Sequence, residues 1–326
     1  MKIDYSAERV RSLLAATMLP HEIDEALEMI EEIQLLKRKH NVVVLGHNYM
    51  TPDVYHGVSD FVGDSLGLSR LAGSCEADII LFNGVHFMAE TAKVLNMSKT
   101  VLIADSEAGC SLAESITPED ILELRRQFPG APVVTYVNCT AAVKAETDIC
   151  CTSSNAVKVV ESLKEETIIF LPDAYLARNV ARALPHKRIV AWEKGKCMVH
   201  EQYRREDILA AKRQWADLMV VTHPECDTSV TELADYSGST SQMESAIRAN
   251  PARNILLVTE CSMGDNMRSA FPDRKFISTC HTCPHMKKIT LPKVLHSLRT
   301  MSVEVTVPAE IARRARSAVE RMLAIG

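Results

Sequence analysis

The sequence lacks several features that would assign it to a class of protein at once. Its 326 residues carry a formal net charge of −5, and without a basic field we expect no nucleic-acid and no membrane partner. No apolar run approaches the ~18 residues of a membrane span, and the N-terminus has no apolar segment of a signal peptide. Low-complexity segments and linkers rich in glycine, proline or serine are also absent. These absences predict a globular, cytoplasmic protein.

Cysteine, by contrast, is abundant, with ten residues in the chain. Without a secretory signal these residues are expected to be thiols, metal ligands or redox groups, and not a disulfide framework. Free cysteine is among the most buried residue types, so most of the ten are expected to be small core residues. A functional subset would have to stand out by its position in the chain.

Apolar segments of strand length alternate with segments of helical periodicity. Residues 21–39 have apolar positions at helical spacing, with acidic residues first and basic residues last, as suits a helix dipole. Runs that are apolar on both faces are typical of buried parallel strands. Such runs lie at 42–49, 79–83, 100–104, 133–137, 167–171, 188–192, 218–222 and 255–258. The alternation predicts an α/β fold with mostly parallel sheets.

A repeat of about 87 residues runs through the chain. An aspartate precedes a hydroxyl residue by five positions three times, as Asp60–Ser65, Asp148–Ser153 and Asp235–Thr240. We therefore predict three homologous three-layer α/β/α sandwich domains with parallel sheets around a pseudo-threefold axis. The predicted divisions are an N-terminal helical segment 1–20, repeats at 21–106, 107–194 and 195–285, and a C-terminal segment 286–326 that packs back on the repeats.

Three cysteines occupy the same loop in successive repeats. Cys110, Cys197 and Cys283 each follow an apolar stretch and lie 87 and 86 residues apart, whereas no other cysteine has a counterpart in all three repeats. Cys280 forms a local C-x-x-C motif with Cys283, but only Cys283 recurs with the period of about 87 residues. A threefold arrangement would bring three thiolates to one point, which suits zinc or an iron–sulfur cluster with one open coordination position. The alternative is three buried thiols that share a phase through duplication.

The same symmetry groups polar residues at the carboxyl ends of strands. Ser65, Ser153 and Thr240 stand where helices begin, so they are either helix N-caps or, together, a site for a substrate with several negative charges. His223 and Glu225 form a candidate pair for proton transfer. For each strand-end residue the alternative is a structural hydrogen bond. The strand-end set is His47, Tyr49, Tyr136, Asn138, His223 and Glu225, whereas His56, His86 and His285 lack repeat support and are expected to be structural or surface residues.

These residues lie in segments that resemble the quinolinate synthase family, iron–sulfur enzymes of bacterial NAD biosynthesis. The matching segments are GHNYMTPDVYHGVSDFVGDSLGLSR, NGVHFMAETAKVL, AGCSL, TYVNCTAAVKAETDICCTSSNAV, GKCMVHE, THPEC, DYSGSTSQM and CPHMKK, spread over residues 46 to 288. The resemblance implies a transferase with three α/β/α domains in a pseudo-threefold arrangement, in agreement with the period. It also implies condensation of iminosuccinate (iminoaspartate) with dihydroxyacetone phosphate to give quinolinate, phosphate and water.

The resemblance further implies roles for individual residues. Cys110, Cys197 and Cys283 would hold one 4Fe–4S cluster, whose fourth iron, open to substrate, would act as a Lewis acid. The implied substrate-binding positions are His47, Ser65, Tyr136, Val137, Asn138, Ser153, His223, Pro224, Glu225 and Thr240. The implied catalytic positions are Tyr49, Tyr136, His223 and Glu225. A separate aspartate oxidase or dehydrogenase would make the unstable iminosuccinate, so a functional partner is implied.

Two other functions and two cysteine pairs remain open. An iron–sulfur hydratase or dehydratase of a dicarboxylate would use the same open iron, and a cluster-based redox sensor would need an effector surface. Some family members carry an extra cysteine where this chain has Ile277. A reversible Cys280–Cys283 disulfide would compete with cluster binding. The vicinal Cys150 and Cys151 are expected to be buried strand residues.

Overall fold

The computed structural model describes residues 5–277 and 279–325, so the ends of the predicted terminal segments, at 1–4 and 326, lie outside the described residues. Within those ranges twelve strands form three sheets of four strands, and every strand pair in the sheets is parallel. In each sheet the order, counted along the chain, is second, first, third and fourth strand. The predicted threefold repetition of one α/β unit is thereby confirmed.

Each sheet and the helices beside it are called a unit. The first unit contains α1 (Ala7–Leu14), α2 (Pro20–Lys39), β1 (Val42–His47), α3 (Pro52–Gly57), β2 (Phe61–Gly63), α4 (Ser65–Ser74), β3 (Ile79–Asn83), α5 (His86–Leu95) and β4 (Thr100–Ile103). The second contains α6 (Ser111–Glu114), α7 (Pro118–Gln127), β5 (Val133–Tyr136), α8 (Ala141–Ala145), β6 (Ile149–Cys151), α9 (Ala156–Ser162), β7 (Thr167–Leu171), α10 (Ala174–Ala183) and β8 (Arg188–Ala191).

The third unit repeats the same succession, and two helices follow it. It contains α11 (Arg205–Gln214), β9 (Leu218–Thr222), α12 (Thr228–Thr231), β10 (Tyr236–Ser237), α13 (Thr240–Ala249), β11 (Asn254–Val258), α14 (Cys261–Met267) and β12 (Lys275–Ile277). Short 3₁₀ turns lie at His200–Gln202 and Met286–Lys288. The last helices are α15 (Leu291–Thr300), which packs against α2, and α16 (Ala309–Ile325), which packs against α5, α8 and β6.

The apolar runs form the six inner strands of the sheets and the edge strands β4 and β8. All eight runs predicted from the sequence are strands, and β1 and β5 are buried along their whole length. Helices cover both faces of a parallel sheet, so such strands have no polar face to show. The four strands that these runs did not include are β2, β6, β10 and β12, each only two or three residues long.

The repeated aspartates hold the first strand of each sheet in place. Each carboxylate accepts a hydrogen bond from a backbone N–H of that strand, Asp60 from Val44 at 2.8 Å, Asp148 from Val133 at 2.7 Å and Asp235 from Val220 at 2.8 Å. Each aspartate N–H also donates to the carbonyl of the same strand residue. The aspartate of each repeated Asp–hydroxyl pair is therefore structural.

Among the described residues no helix combines the length and the apolar character that crossing a bilayer requires. The edges of the predicted domains stay predictions, because α16 contacts helices of both the first and the second unit.

Candidate functional site

The first strand of each sheet leads to one cavity. β1 ends at His47, β5 ends at Tyr136, and His223 directly follows β9. The predicted site residues that line this cavity are His47, Tyr49, Ser65, Cys110, Tyr136, Asn138, Ser153, Cys197, His223, Glu225, Thr240 and Cys283. Val137 and Pro224 lie between lining residues and are not among those that line the cavity. The ends of β1, β5 and β9, which are far apart in the sequence, therefore meet at this cavity.

The three repeated cysteines reach the cavity from the loops after β4, β8 and β12. All three are partly exposed there, whereas Cys139 and Cys226 are buried in the core. Burial raises the pKa of Cys110 to about 12 and raises the pKa of Cys197 and Cys283. Such thiols become thiolates when a metal supplies positive charge. Three cysteines at one cavity fit the donor set of an iron–sulfur cluster.

Cys280 is bonded to Cys261, and Cys283 is free. The Cys280–Cys283 disulfide that the sequence left open is therefore not formed in this structure. The backbone explains the pairing, because the N–H of Cys261 donates to the carbonyl of His281 at 3.1 Å and places the start of α14 beside Cys280. Cys150 and Cys151 are buried in β6, as expected.

Ser65 and Thr240 are the first residues of their helices, but other side chains cap these helices. Asp64 accepts a hydrogen bond from the Gly67 N–H at 2.9 Å at the start of α4. Ser239 caps α13 in the same way. The N-cap alternative is therefore wrong for Ser65 and Thr240, whose hydroxyl groups line the cavity.

His47 and His223 have the same tautomer because each ring accepts a hydrogen bond from a backbone N–H close by in the sequence. The Nδ1 of His47 accepts a hydrogen bond from the Tyr49 N–H at 3.2 Å, and that of His223 accepts from the Glu225 N–H at 3.3 Å. Each proton therefore sits on Nε2. Burial lowers the pKa of His47 to about 4 and that of His223 to about 3. At neutral pH both imidazoles are uncharged hydrogen-bond donors.

Glu225 is a buried carboxylate with a partner on each oxygen. Tyr136 donates to Oε1 at 2.5 Å, with the Asn138 amide 3.4 Å from the same oxygen. His200 Nδ1 lies 2.7 Å from Oε2. Burial opposes ionisation, but the hydrogen bonds to His200 and Tyr136 hold the pKa of Glu225 below its ordinary value. The carboxylate is therefore ionised at neutral pH.

His200 was not singled out by the sequence analysis, although it is central to the cavity. Its Nε2 lies 2.9 Å from Thr259 Oγ1, and that hydroxyl lies 2.5 Å from the Tyr49 hydroxyl. Burial raises the pKa of Tyr49 well above its usual value. Neither His200 nor Thr259 recurs with the period, so the repeat could not reveal them. The available signal was the position of His200 three residues after Cys197, within the matching segment GKCMVHE.

His285 is also placed differently from the expectation. It lines the cavity beside Cys283 instead of lying at the surface. Its buried Nδ1 has no hydrogen-bond partner among the described residues. Asp64 lines the cavity as well, and Asn48 donates to the Thr240 hydroxyl at 2.8 Å.

The chain is similar to known proteins over most of its length. The family model described as NadA, quinolinate synthetase A protein, matches residues 31–324. A quinolinate synthase from Xylella fastidiosa (strain 9a5c) is 54% identical over 296 residues, which cover 91% of this chain and 87% of that protein. One from Agrobacterium fabrum is 54% identical over 297 residues, covering 91% of this chain and 85% of that protein.

Among solved structures, an E-1-hydroxy-2-methyl-but-2-enyl-4-diphosphate reductase from Plasmodium falciparum covers 84% of this chain and 93% of its own. Its TM-score of 0.32 and identity of 13% are too low to support an argument. The family match and the curated relatives span the strands, the loops and the cavity described above. This chain is an enzyme that belongs to the quinolinate synthetase A family.

Proposed function

We propose that this enzyme condenses iminosuccinate with dihydroxyacetone phosphate to give quinolinate, inorganic phosphate and two molecules of water, a step of NAD biosynthesis. The observation that carries the proposal is the meeting of three in-phase cysteines with Tyr49, Tyr136 and the His223–Glu225 pair in one cavity. An enzyme that oxidises aspartate would have to supply the iminosuccinate. The family membership of the chain supports the same reaction.

Cys110, Cys197 and Cys283 would hold one 4Fe–4S cluster. With three protein ligands, one iron of the cluster would stay open and would supply a Lewis acid to a substrate oxygen or nitrogen. The lining of the cavity leaves a role for such an iron. Among the described residues that line the cavity, none is lysine or arginine, although both substrates are anions. The open iron would instead offer these anions an electron-pair acceptor.

The chain's own contribution to binding is a set of neutral donors. The uncharged imidazoles of His47 and His223 would donate from Nε2 to a carboxylate or phosphate oxygen. Ser65 and Thr240 stand at the N-termini of α4 and α13, where the helix dipole also favours negative charge. Donors without net charge fix the position of an anion without a competing ion pair inside the cavity.

Proton transfer would use groups whose protonation state at neutral pH follows from their surroundings. The ionised Glu225 would accept a proton from a substrate carbon or nitrogen. Burial raises the pKa of Tyr49 and of Tyr136 well above the usual value, so both phenols stay protonated and would donate to a departing oxygen. Thr259 and His200 connect Tyr49 to Glu225 through hydrogen bonds and would carry protons between donor and acceptor.

The test is anaerobic purification with iron and sulfide counts, followed by incubation with both substrates. We expect Cys110→Ala, Cys197→Ala and Cys283→Ala each to lose the cluster, whereas Cys75→Ala, a partly exposed thiol outside the cavity, keeps it. Cys280→Ala should also keep it. Retention of the cluster in all three cavity variants would refute the ligand assignment.

Product analysis tests the reaction itself. A pyridine dicarboxylate should appear only when both substrates are present, and a hydratase would instead add water to a single dicarboxylate. Thr240→Ala should weaken substrate use about tenfold, the cost of one hydrogen bond, with the iron content unchanged. A loaded enzyme that forms no pyridine product would rule out the proposed reaction.

A further inference from the structure

Cys197, His200 and Glu225 form a compact group at the cavity. His200 Nδ1 lies 3.1 Å from Cys197 Sγ and 2.7 Å from Glu225 Oε2, and the three ligand atoms all lie within 4.8 Å of one another. From this geometry we propose that the chain, when it carries no cluster, binds a single divalent ion such as Zn²⁺ through these three side chains. A thiolate, an imidazole and a carboxylate are the donor types that zinc takes.

The separations of the ligand atoms suit one small ion. Two ligand atoms on a tetrahedral zinc ion lie about 3.3–3.6 Å apart, because the bonds to zinc are about 2.0–2.3 Å long. The two measured pairs are closer than this because they are hydrogen-bonded pairs, and side-chain movements of roughly half an ångström would admit the ion. The fourth position would face the cavity.

Glu225 and His200 each already use their second polar atom in a hydrogen bond. Tyr136 donates to Glu225 Oε1 at 2.5 Å, which leaves Oε2 for the ion. The Nε2 of His200 lies 2.9 Å from Thr259 Oγ1, which leaves Nδ1 for the ion. Metal-binding histidines and carboxylates are typically oriented by such outer partners. The three ligand atoms therefore face one another before any ion arrives.

Charge also favours a cation at this point. Glu225 and Cys197 would both bind as anions, because carboxylate and thiolate are the forms that bind a metal ion, and the thiol proton of Cys197 would pass to solvent. The resulting two negative charges would equal the charge of one divalent ion. No described lysine or arginine lines the cavity to neutralise them otherwise.

The single ion and a cluster would exclude each other because both need Cys197. The ion site does not use Cys110 or Cys283, so it stands without the proposed cluster, and only the exclusion rests on the proposed function. Zinc bound before assembly would thus leave the enzyme without a cluster.

Titration of the full-length chain, freed of iron under anaerobic conditions, tests the site. Co²⁺ is the probe, since a cobalt–thiolate bond gives a charge-transfer absorption, and Zn²⁺ should displace it. We expect one Co²⁺ per chain. Loss of an outer partner costs about 10–100-fold in affinity, so Thr259→Val should weaken binding in that range and His200→Ala by more than about 100-fold.

Cys110→Ser and Cys283→Ser are the matched variants. Both should bind Co²⁺ as the natural chain does, within about threefold, although neither assembles the proposed cluster. Equal loss of Co²⁺ in these variants and in His200→Ala would overturn the proposal, and so would undiminished binding in His200→Ala. The experiment also distinguishes the single-ion site from the proposed function. A natural chain that binds Co²⁺ but never assembles a cluster contradicts only the proposed function.

X-ray absorption of the zinc-loaded natural chain needs no substitution. One sulfur and two or three nitrogen or oxygen neighbours around zinc are expected, and three sulfur neighbours would show instead that the three repeated cysteines bind the ion. Zinc loading should also block cluster reconstitution until a chelator removes it. Reconstitution at the normal rate with zinc still bound would refute the exclusion.

Discussion

Individual side chains decide the chemistry of the cavity, and Glu225 is the one on which most contacts converge. Its two oxygens bind Tyr136 and His200 on opposite sides. Position in the repeat was enough to identify Tyr136 and Glu225 from the sequence. It was not enough for His200 and Thr259, because a residue that serves one unit only has no counterpart in the other two. The repeat therefore reveals shared functions better than specialised ones.

Tyr136→Phe tests the contact to Glu225 directly. The variant removes a donor from a buried carboxylate, and a hydrogen bond to a charged group contributes about 1.5–3 kcal/mol. We expect kcat/KM to fall about 10–100-fold, with iron content and melting temperature close to those of the natural enzyme. Steady-state kinetics of quinolinate formation measure the effect. Tyr55→Phe, outside the cavity, is the control, and an equal loss in both variants would contradict the assignment.

Inner strands and the short edge strands β2 and β10 were predicted unequally well, and burial explains the difference. Inner strands such as β3 and β7 are covered on both faces, so their sequences are unbroken apolar runs. The edge strands β2 and β10 have three and two residues and are partly exposed, so no apolar run marks them. Both are nonetheless located by the aspartate that precedes them and binds the neighbouring inner strand.

Substitution of these aspartates should destabilise the units to different extents. Asp60 also pairs with the buried Lys37 at 2.8 Å, and loss of one partner of a buried ion pair costs about 3–5 kcal/mol. Asp235 forms no ion pair among the described residues, and asparagine there could still accept the Val220 N–H. We therefore expect Asp60→Asn to destabilise the chain by about 3–5 kcal/mol and Asp235→Asn by about 1 kcal/mol.

Urea unfolding of the three proteins measures these free energies. The folded fraction of each variant should keep the enzymatic activity of the natural chain, whatever its free energy of unfolding, because neither aspartate lines the cavity. The opposite order of destabilisation would show that Lys37 does not depend on Asp60 for its charge balance.

The whole molecule determines the site, since no unit contains it. Each unit brings one cysteine, one polar strand end and one hydroxyl residue to the common cavity. A local motif such as Cys280–Cys283 points to the wrong pair, and the disulfide in fact joins Cys280 to Cys261. The sequence could predict which loops meet, because they recur, but not the pairing of a cysteine that recurs nowhere.

The stability of the whole chain should depend on pH through the buried imidazoles. The pKa of His47 is lowered to about 4 in the folded protein from 6.5. As the pH falls below 6.5 the unfolded chain takes up the proton first, so stability present above 6.5 is lost towards pH 4. Between pH 7 and pH 5 this single residue should remove about 2 kcal/mol.

His47→Asn should therefore flatten the fall in unfolding free energy between pH 7 and pH 5 by about 2 kcal/mol. Urea unfolding at the two pH values measures the difference. His296→Asn, at an exposed position of α15, is the control and should leave the slope unchanged. A slope that is the same in His47→Asn and the natural chain would show that the pKa of His47 is not lowered in the folded state.

The equal strand order of the three sheets has a consequence for descent. A symmetric trimer of one such unit, before any fusion of its genes, would already have carried three identical cysteines around its axis. It could have held a metal group with every other position still the same in all three copies. Fusion into one chain would release the copies from identity, so that equivalent strand ends could differ, as His47 at the end of β1 and Tyr136 at the end of β5 do. Three identical chains could not supply such a difference at one cavity.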